Sequence, residues 1–522
     1  MSRCGATEMT YLCVPIFVTG EAQLARDAVL AAEAGAELLE LRIDRLTYPI
    51  SLPSLPLPYV VTCRPEWEGG ENELSDEQRV DLIRQIAADS AAYVDLELET
   101  LRRAPNTVQK LSQYPGRLIV SAHDFKGRPA RMTNLLLELN DVPGCVAKVV
   151  WMARSIRDNL EAFEILRDRA KPTIALCMGE AGLISRVLAK KFGAFLTFAS
   201  LGATSATAPG QVSIEEMKRL YRWDALGAKT KVYGVVGSPI AHTMSPAIHN
   251  AAFEKTGYDG IYLPLLVNAG YESFKAFMES FLAYEPLDLS GLSITIPHKE
   301  NALRYLQEKG ADIDPLAARI GAVNTIVIDR ADGHPTLRGF NSDYGAILDS
   351  ITEKLSITRA KLADYRVAVI GAGGTGRAAL AALAHHGATI VVYNRTRERA
   401  DTLAAEFNGK RGKVVAAPLE KLCDSCCQIY INTTSIGMHP NVHASPFGDS
   451  PPELNPQTLV FDAVYNPIRT RLLREAEAAG ARTISGLDMF VRQAAAQFES
   501  WTKLPAPIDV MRNIVETRLS PR

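Results

Sequence analysis

Residues 223–250, WDALGAKTKVYGVVGSPIAHTMSPAIHN, decide how the chain is divided. The stretch begins as a short polar connector around Gly227-Ala228-Lys229-Thr230. It becomes an apolar strand over Val232–Val236 and then breaks at a Gly-Ser-Pro turn. Upstream, apolar strands alternate with helical segments eight times. Downstream, a new alternation begins that carries its own nucleotide fingerprint. The stretch therefore reads as a join between two folding units, and 522 residues suit that, since one core rarely grows past roughly 250–300 residues.

Composition narrows the class. A hydrophobic fraction of 47% is ordinary for a globular protein, and a net charge of −2 gives no electrostatic reason to expect nucleic acid or a membrane surface as partner. No apolar run approaches the roughly 20 residues of a membrane helix. The N-terminal MSRCGATEMT has no apolar segment of a secretory signal and is too short for an intact transit peptide. Of the eight Cys, only Cys423, Cys426 and Cys427 cluster, and no second cluster completes a metal site. The expectation is no metal, reduced cysteines and a cytoplasmic setting, with a plastid after removal of a transit peptide as the alternative.

In the first half, strand-length apolar runs fall at Tyr11–Val18, Leu38–Ile43, Tyr59–Thr62, Tyr93–Leu98, Leu118–Ser121, Val146–Met152, Thr173–Cys177 and Phe195–Ala199. Segments such as Glu21–Ala34, Asp76–Ser90, Ile156–Arg169 and Leu183–Phe192 have helical periodicity. The alternation predicts a (β/α)8 barrel, with chemistry at the C-terminal ends of its strands. Those ends carry Glu40, Arg42, Arg64, Glu97 and His123, with Lys148 inside the sixth strand and Arg186 in the seventh helix. Together they predict a cationic cup for an anionic, hydroxylated small molecule. Lys148 stands among apolar neighbours, which predicts a desolvated amine of the kind a Schiff-base nucleophile needs. His123 is the sole histidine before residue 242 and is the candidate proton carrier.

This half resembles the type I 3-dehydroquinate dehydratase family. The resemblance rests on Glu40-Leu-Arg42-Ile-Asp44, Val61-Thr-Cys-Arg64, Ser121-Ala-His-Asp-Phe125, Ala147-Lys-Val149, Met178-Gly179 through Ser185-Arg186, and Ala208-Pro-Gly-Gln211. It implies that Lys148 forms an imine with the ketone of 3-dehydroquinate and that His123 moves protons. It implies Arg186 on the carboxylate, with Glu40, Arg42, Arg64 and Gln211 on hydroxyls or ordering the site. Thr207 stands where the family usually has serine and keeps the hydroxyl.

In the second half, strands are expected at Val232–Val236, Ile261–Leu266, Ser293–Ile296 and Val323–Ile328, with helices at Pro246–Thr256, Tyr271–Ala283 and Lys299–Lys309. Asp332-Gly333 reads as a hairpin turn. In Val367-Ala-Val-Ile-Gly371-Ala-Gly373-Gly374-Thr-Gly376 an apolar strand precedes the glycines, which open a helix over Arg377–His386, with a second strand at Thr389–Tyr393. That context is a Rossmann dinucleotide site. The next residues, Asn394-Arg395-Thr396-Arg-Glu-Arg399, lack the acid that selects NAD and favour a 2′-phosphate, so NADP is the expected cofactor. Lys299, in Ser293-Ile-Thr295-Ile-Pro-His-Lys299, and Asp343, in Gly339-Phe-Asn-Ser-Asp343, are candidates for an acid/base pair that protonates an alkoxide.

These motifs resemble shikimate dehydrogenase from about Lys231 onward. The resemblance implies Lys299 and Asp343 as catalytic, and Thr295, Asn324, Gln493 and Gln497 on substrate hydroxyls with Tyr465 nearby. Asn432-Thr433-Thr-Ser-Ile-Gly-Met438 matches the loop beside the nicotinamide. The carboxylate-binding Ser-x-Ser reads Thr243-Met-Ser245 here, and this leaves quinate, or both quinate and shikimate, as an alternative substrate. The implied α/β organisation is a barrel over 1–222, a linker over 223–230, a substrate lobe over 231–343, a nucleotide lobe over 344–486, and C-terminal helices over 487–522 that return to the substrate lobe. The whole resembles the plant-type fusion of the two enzyme families, acting on 3-dehydroquinate and then on 3-dehydroshikimate. A non-catalytic regulator built on degenerate domains would lack the reactive groups, and Lys148, His123, Lys299 and Asp343 are all present.

Overall fold

The computed structural model describes residues 9–519 except 88–90, 105, 107–110, 112–117, 203–207, 242, 331–332 and 410–411. It forms two compact units: one comprises the chain up to Val232 with Asp259–Val267 and Phe277–Asp288, and the other the remainder.

The first unit contains eight parallel strands: β1 (Tyr11–Phe17), β2 (Leu38–Arg42), β3 (Tyr59–Thr62), β4 (Tyr93–Glu97), β5 (Leu118–Asp124), β6 (Val146–Met152), β7 (Thr173–Met178) and β8 (Leu196–Phe198). Their order is β7-β6-β5-β4-β3-β2-β1-β8. No ladder joins β7 to β8, but Phe195 N–H donates to Thr173 O at 2.8 Å, so the barrel is nearly closed. Cys13, Leu38, Val60, Ile119, Val146, Ile174 and Leu196 fill its interior as a packed core. Two boundaries differ from expectation in a way that matters. β5 runs on to Asp124, so His123 sits on the strand instead of after it. The seventh helix is a single short element, Leu183–Val187.

The connector is not a free linker. Trp223 is buried in a short 3-10 turn, and Lys191 Nζ donates to Ala228 O at 3.0 Å and Thr230 O at 2.8 Å. A polar-looking stretch can be held this way because its carbonyls find a lysine and its one large ring finds the core.

The second unit holds two sheets. β9 (Lys231–Gly237), β11 (Leu289–Ile294), β12 (Asp312–Ile313), β13 (Thr325–Asp329) and β14 (Thr336–Phe340) run in the order β9-β11-β13-β14-β12, with β13 antiparallel to both β11 and β14. The expected strand at Ile261–Leu266 forms as β10 (Gly260–Leu266). β11 begins four residues earlier than Ser293, because cross-strand pairing carries Leu289-Ser-Gly despite its weak strand character. The expected hairpin turn falls partly outside the described residues, since Asp332 is not among them.

The second sheet is β15 (Arg366–Ile370), β16 (Thr389–Tyr393), β17 (Lys413–Ala417), β18 (Ile429–Asn432), β19 (Leu459–Asp462) and β20 (Arg482–Ile484). Its order, β17-β16-β15-β18-β19-β20, is the doubly wound 3-2-1-4-5-6 arrangement. Val367 and Val369 pack into one core and Ala368 and Ile370 into another, so β15 is apolar throughout because both its faces are covered. The switch in strand order falls between β15 and β18, which places Gly371 beside Thr433.

Candidate active sites

In a strand, residues two apart share a face. Glu40 and Arg42, Thr62 and Arg64, Asp95 and Glu97, Ser121 and His123, and Lys148 and Val150 are five pairs two residues apart, on β2 to β6 except for Arg64, which lies two residues past β3. Most of them, with Glu68, Arg186, Phe198 and Gln211, line one cavity. The apolar neighbours of Lys148, Ala147 and Val149, belong to the other face of β6. Their character therefore says nothing about what its ammonium meets.

The expected apolar setting for Lys148 is corrected by this geometry. Its Nζ donates to Asp95 Oδ2 at 2.8 Å, lies 3.7 Å from Glu40 Oε1, and stands 4.8 Å from the centre of the Phe198 ring. Asp95 is a residue that strand-end reasoning passed over. Burial opposes its ionisation, but Arg64 and Lys148 outweigh that and hold its carboxyl well below the usual range.

The expected cationic cup is also corrected. Arg42 is forked onto Asp44 at 3.2 and 2.5 Å. Arg64 donates to Glu97, Ser121 and Asp95 at 2.7–2.8 Å. These guanidiniums order the floor and have their charge matched by carboxylates. Arg186 differs: it is 1% exposed, and its Nε and Nη2 find no partner among the described residues. Burial lowers its pKa to about 10. A buried guanidinium with bare nitrogens is a site for a carboxylate. Gln211 lines the same cavity, and Thr207 lies outside the described residues.

Glu68 was likewise missed, because it sits on a short turn past β3 instead of at a strand end. Its Oε1 is 2.7 Å from His123 Nδ1 and also accepts the His123 backbone N–H at 3.0 Å. Burial lowers the imidazole pKa well below its ordinary value and lifts the Glu68 carboxyl to about 8. Both shifts favour uncharged partners. A carboxyl whose folded pKa lies above its unfolded value stabilises the fold fully below about pH 4.5, and that advantage is lost as pH rises through about 8. Glu68→Gln should therefore flatten the fall in the melting temperature of this unit between pH 5 and 8, checked by calorimetry against the unsubstituted chain.

In the second unit, Lys299 Nζ donates to Asp343 Oδ2 at 2.5 Å. Asp343 is buried at the start of helix Ser342–Leu355, whose cap is Asn341. Asn324 donates to Asp343 Oδ1 at 2.9 Å and to Ser342 Oγ at 3.1 Å. Its carbonyl oxygen accepts from Ser342 N and Thr325 Oγ1. The side chain that resemblance assigned to substrate hydroxyls is thus engaged in aiming the dyad carboxylate. Gln497 is similarly engaged with Thr325 Oγ1 at 3.1 Å, and Trp501 Nε1 donates to Ile326 O, so helix Gly486–Thr502 packs on β13. Gln493, one turn earlier on the same helix face, and Thr295, just past β11, are half-buried. Tyr465 stacks on Phe490 at 4.6 Å, and Thr243 Oγ1 donates to Ser245 Oγ at 3.2 Å.

The nucleotide loop has the shape of a cradle. Gly371 has φ +111°, and a Cβ there would lie 2.6 Å from Thr433 Oγ1; one on Gly376 would lie 2.4 Å from Gly371 O. Around Gly373 there is open space, and helix Gly374–His385 begins with no side-chain cap, leaving its first N–H groups for an anion. A Cβ on Gly374 would stand 3.2 Å from Lys299 Cδ, so the loop passes beside the dyad. Asn394 Nδ2 donates to Thr396 O. Arg395 and Arg399 are exposed and make no ion pair among the described residues, whereas Arg397 between them is tied to Asp401 at 3.0 Å. Met438, at the end of the Thr433 loop, is 44% exposed. These residues fit a dinucleotide carrying an extra phosphate.

Comparison with known proteins agrees with both halves. The model for type I 3-dehydroquinase matches residues 12–227. Models for the shikimate dehydrogenase substrate binding domain, shikimate / quinate 5-dehydrogenase and the shikimate 5'-dehydrogenase C-terminal domain match 235–326, 353–462 and 486–516. The chloroplastic bifunctional 3-dehydroquinate dehydratase/shikimate dehydrogenase of Arabidopsis thaliana is 38% identical over 522 residues, covering 97% of this chain and 84% of its own. The shikimate dehydrogenase (NADP(+)) of Methanosarcina mazei is 40% identical over 291 residues, covering 55% of this chain and 97% of its own. A solved shikimate dehydrogenase in complex with NADP+ covers 56% of this chain and 97% of its own at 35% identity and TM-score 0.49. Since the Arabidopsis relative spans both halves, the chain belongs to the bifunctional 3-dehydroquinate dehydratase/shikimate dehydrogenase family.

Proposed function

We propose that the chain dehydrates 3-dehydroquinate to 3-dehydroshikimate in residues 1–222 and reduces that product to shikimate in residues 231–522. The observation that carries this reading is a single cavity lined by Lys148, His123 and Arg186, whose buried Nε and Nη2 have no partner among the described residues. Arg186 receives the substrate carboxylate. Lys148 Nζ adds to the ketone carbon, and loss of water leaves the imine. A neutral imidazole is the base this site offers, and its Nδ1 is anchored on Glu68. It takes the proton next to the imine carbon, the substrate hydroxyl leaves as water, and hydrolysis returns the lysine. Asp95 holds Lys148 in place and balances the positive charge of the iminium.

In the second reaction NADPH supplies the hydride. Lys299, held by Asp343, donates a proton to the oxygen that becomes a hydroxyl. Asn324 fixes Asp343, and residues 231–343 with helix 487–500 frame the substrate while 344–486 hold the nucleotide. Thr243 and Ser245 grip the carboxylate. Arg395 and Arg399 face the 2′-phosphate. Replacing both by alanine should raise KM for NADPH about tenfold or more and leave NADH kinetics unchanged, as read from steady-state rates.

Two assays test the reading. With 3-dehydroquinate alone the conjugated enone should appear; with NADPH added it should be consumed as NADPH is oxidised. Absence of both signals would defeat the reading. Quinate is the second reading, motivated by Thr243 at the carboxylate, and comparing shikimate with quinate oxidation using NADP and NAD decides it. No helix among the described residues is long and apolar enough to cross a membrane. The free thiols Cys13, Cys63, Cys145, Cys177, Cys423, Cys426 and Cys427 fit a reducing, cytoplasmic setting, with a plastid as the alternative.

A further inference from the structure

Asp462 ends β19 at the mouth of the nucleotide crevice, and neither reaction above uses it. It is fully buried, with no ion pair among the described residues. Its carboxylate collects three donors. Oδ1 accepts Asn432 Nδ2 at 2.9 Å and Val464 N–H at 3.0 Å; Oδ2 accepts the Thr470 hydroxyl at 2.6 Å. A buried carboxylate without a cation is costly, and its pKa is lifted by burial to about 6. Burial of that kind suits a group that organises backbone instead of binding a counter-ion.

Val464 and Thr470 lie on the one connection that follows β19, and Asn432 ends β18. Asn432 closes the turn that follows β18: its Oδ1 accepts from Thr434 N and Oγ1 at 3.0 and 2.7 Å, and its Nδ2 also reaches Ile436 O at 3.3 Å. Thr433 in that turn donates to Ile370 O at 2.9 Å and packs on Gly371 of the nucleotide loop. Val464 leads directly into Tyr465, which stacks on Phe490 with its hydroxyl beside the backbone of Met244, between Thr243 and Ser245. Thr470 is itself buried and caps helix Arg471–Ala478 by accepting from Leu473 N.

We propose that Asp462 is a positioning residue for the reduction: one carboxylate that fixes the nicotinamide-side loop through Asn432 and the substrate-side Tyr465–Met244 contact through Val464. This inference rests on the dehydrogenase reading of the second half. The two arms make a specific demand. Removing the carboxylate should disturb both binding sites, and cutting one arm should disturb one.

The test uses the full chain, whose dehydratase rate serves as an internal reference. Asp462→Ala should raise KM for NADPH and for 3-dehydroshikimate, each about tenfold or more, with the dehydratase kcat unchanged. Asp462→Asn, which can keep all three contacts if Thr470 turns to accept, should stay within about threefold of the unsubstituted chain. Asn432→Ala should raise KM for NADPH while KM for 3-dehydroshikimate holds. Unchanged KM values in Asp462→Ala, or a fall in kcat alone matched by a loss of NADPH-binding stoichiometry, would overturn the inference. If Asp462→Ala does not fold, Asn432→Ala still decides: an equal rise in both KM values, or in neither, refutes the two-arm arrangement. Failure of the unsubstituted chain to reduce 3-dehydroshikimate would instead refute the reading on which the inference rests.

Discussion

Lys148→Ala is expected to abolish dehydration of 3-dehydroquinate, by on the order of 10⁴-fold or more, and to leave reduction of 3-dehydroshikimate intact. The size follows from removing the nucleophile itself, since no other amine among the described residues lines that cavity. The geometry adds a complication. Lys148 is one of two cations on Asp95, the other being Arg64 at 2.7 Å. Deleting one partner of a buried pair leaves charge unmatched and costs roughly 3–5 kcal/mol when nothing else compensates. Arg64 does compensate here, so the barrel should be weakened by less than that and should still fold. Lys148→Arg separates chemistry from stability. It keeps a cation against Asp95 and cannot form an imine, so it should match alanine in rate and the unsubstituted chain in melting temperature. Borohydride reduction in the presence of 3-dehydroquinate should attach substrate mass to Lys148, read by peptide mass spectrometry. Lack of an adduct on Lys148 would sink the imine mechanism.

Lys299→Ala is the mirror experiment. It should lower kcat for reduction by about 10²–10⁴-fold, the range for losing a positioned general acid, with the dehydratase rate unaltered. Lys299 and Asp343 act as one unit at 2.5 Å, so Asp343→Ala should cost a similar factor and the double variant little more than either single. Additive losses in that cycle, measured as kcat/KM, would show that the two side chains work separately. Asp343→Asn should not rescue. Asp343 accepts on both oxygens, from Lys299 and from Asn324, and an amide NH2 would face a donor on one side.

How far the sequence reached differs between the two halves. Strand alternation was readable because parallel strands covered on both sides leave runs such as Tyr59–Thr62 and Val146–Met152, which the fold reproduces end to end. Positions of Lys148, His123, Arg186, Lys299 and Asp343 were readable because reactive side chains stand out against those runs. Glu68 and Asp95 were not. Glu68 lies on a turn with acidic neighbours that look like solvated surface, and Asp95 shares β4 with Glu97, which drew the attention of strand-end reasoning. No local pattern states that Asp95 meets a lysine 53 residues away.

The sequence by itself determined the doubly wound and barrel periodicities, the glycine cradle and the choice of a phosphate-bearing cofactor. These depend on neighbours along the chain: a strand, a tight turn, a helix start, an absent acid. Only the tertiary structure decided which charges are spent and which are free. Arg42, Arg64 and Arg186 look alike in sequence, yet Arg42 is closed by Asp44 two residues on, Arg64 by Asp95 and Glu97 of the neighbouring strand, and Arg186 keeps bare nitrogens. Electrostatic balance in a buried site is a sum over spatial neighbours, and spatial neighbours are what folding, not chain order, supplies.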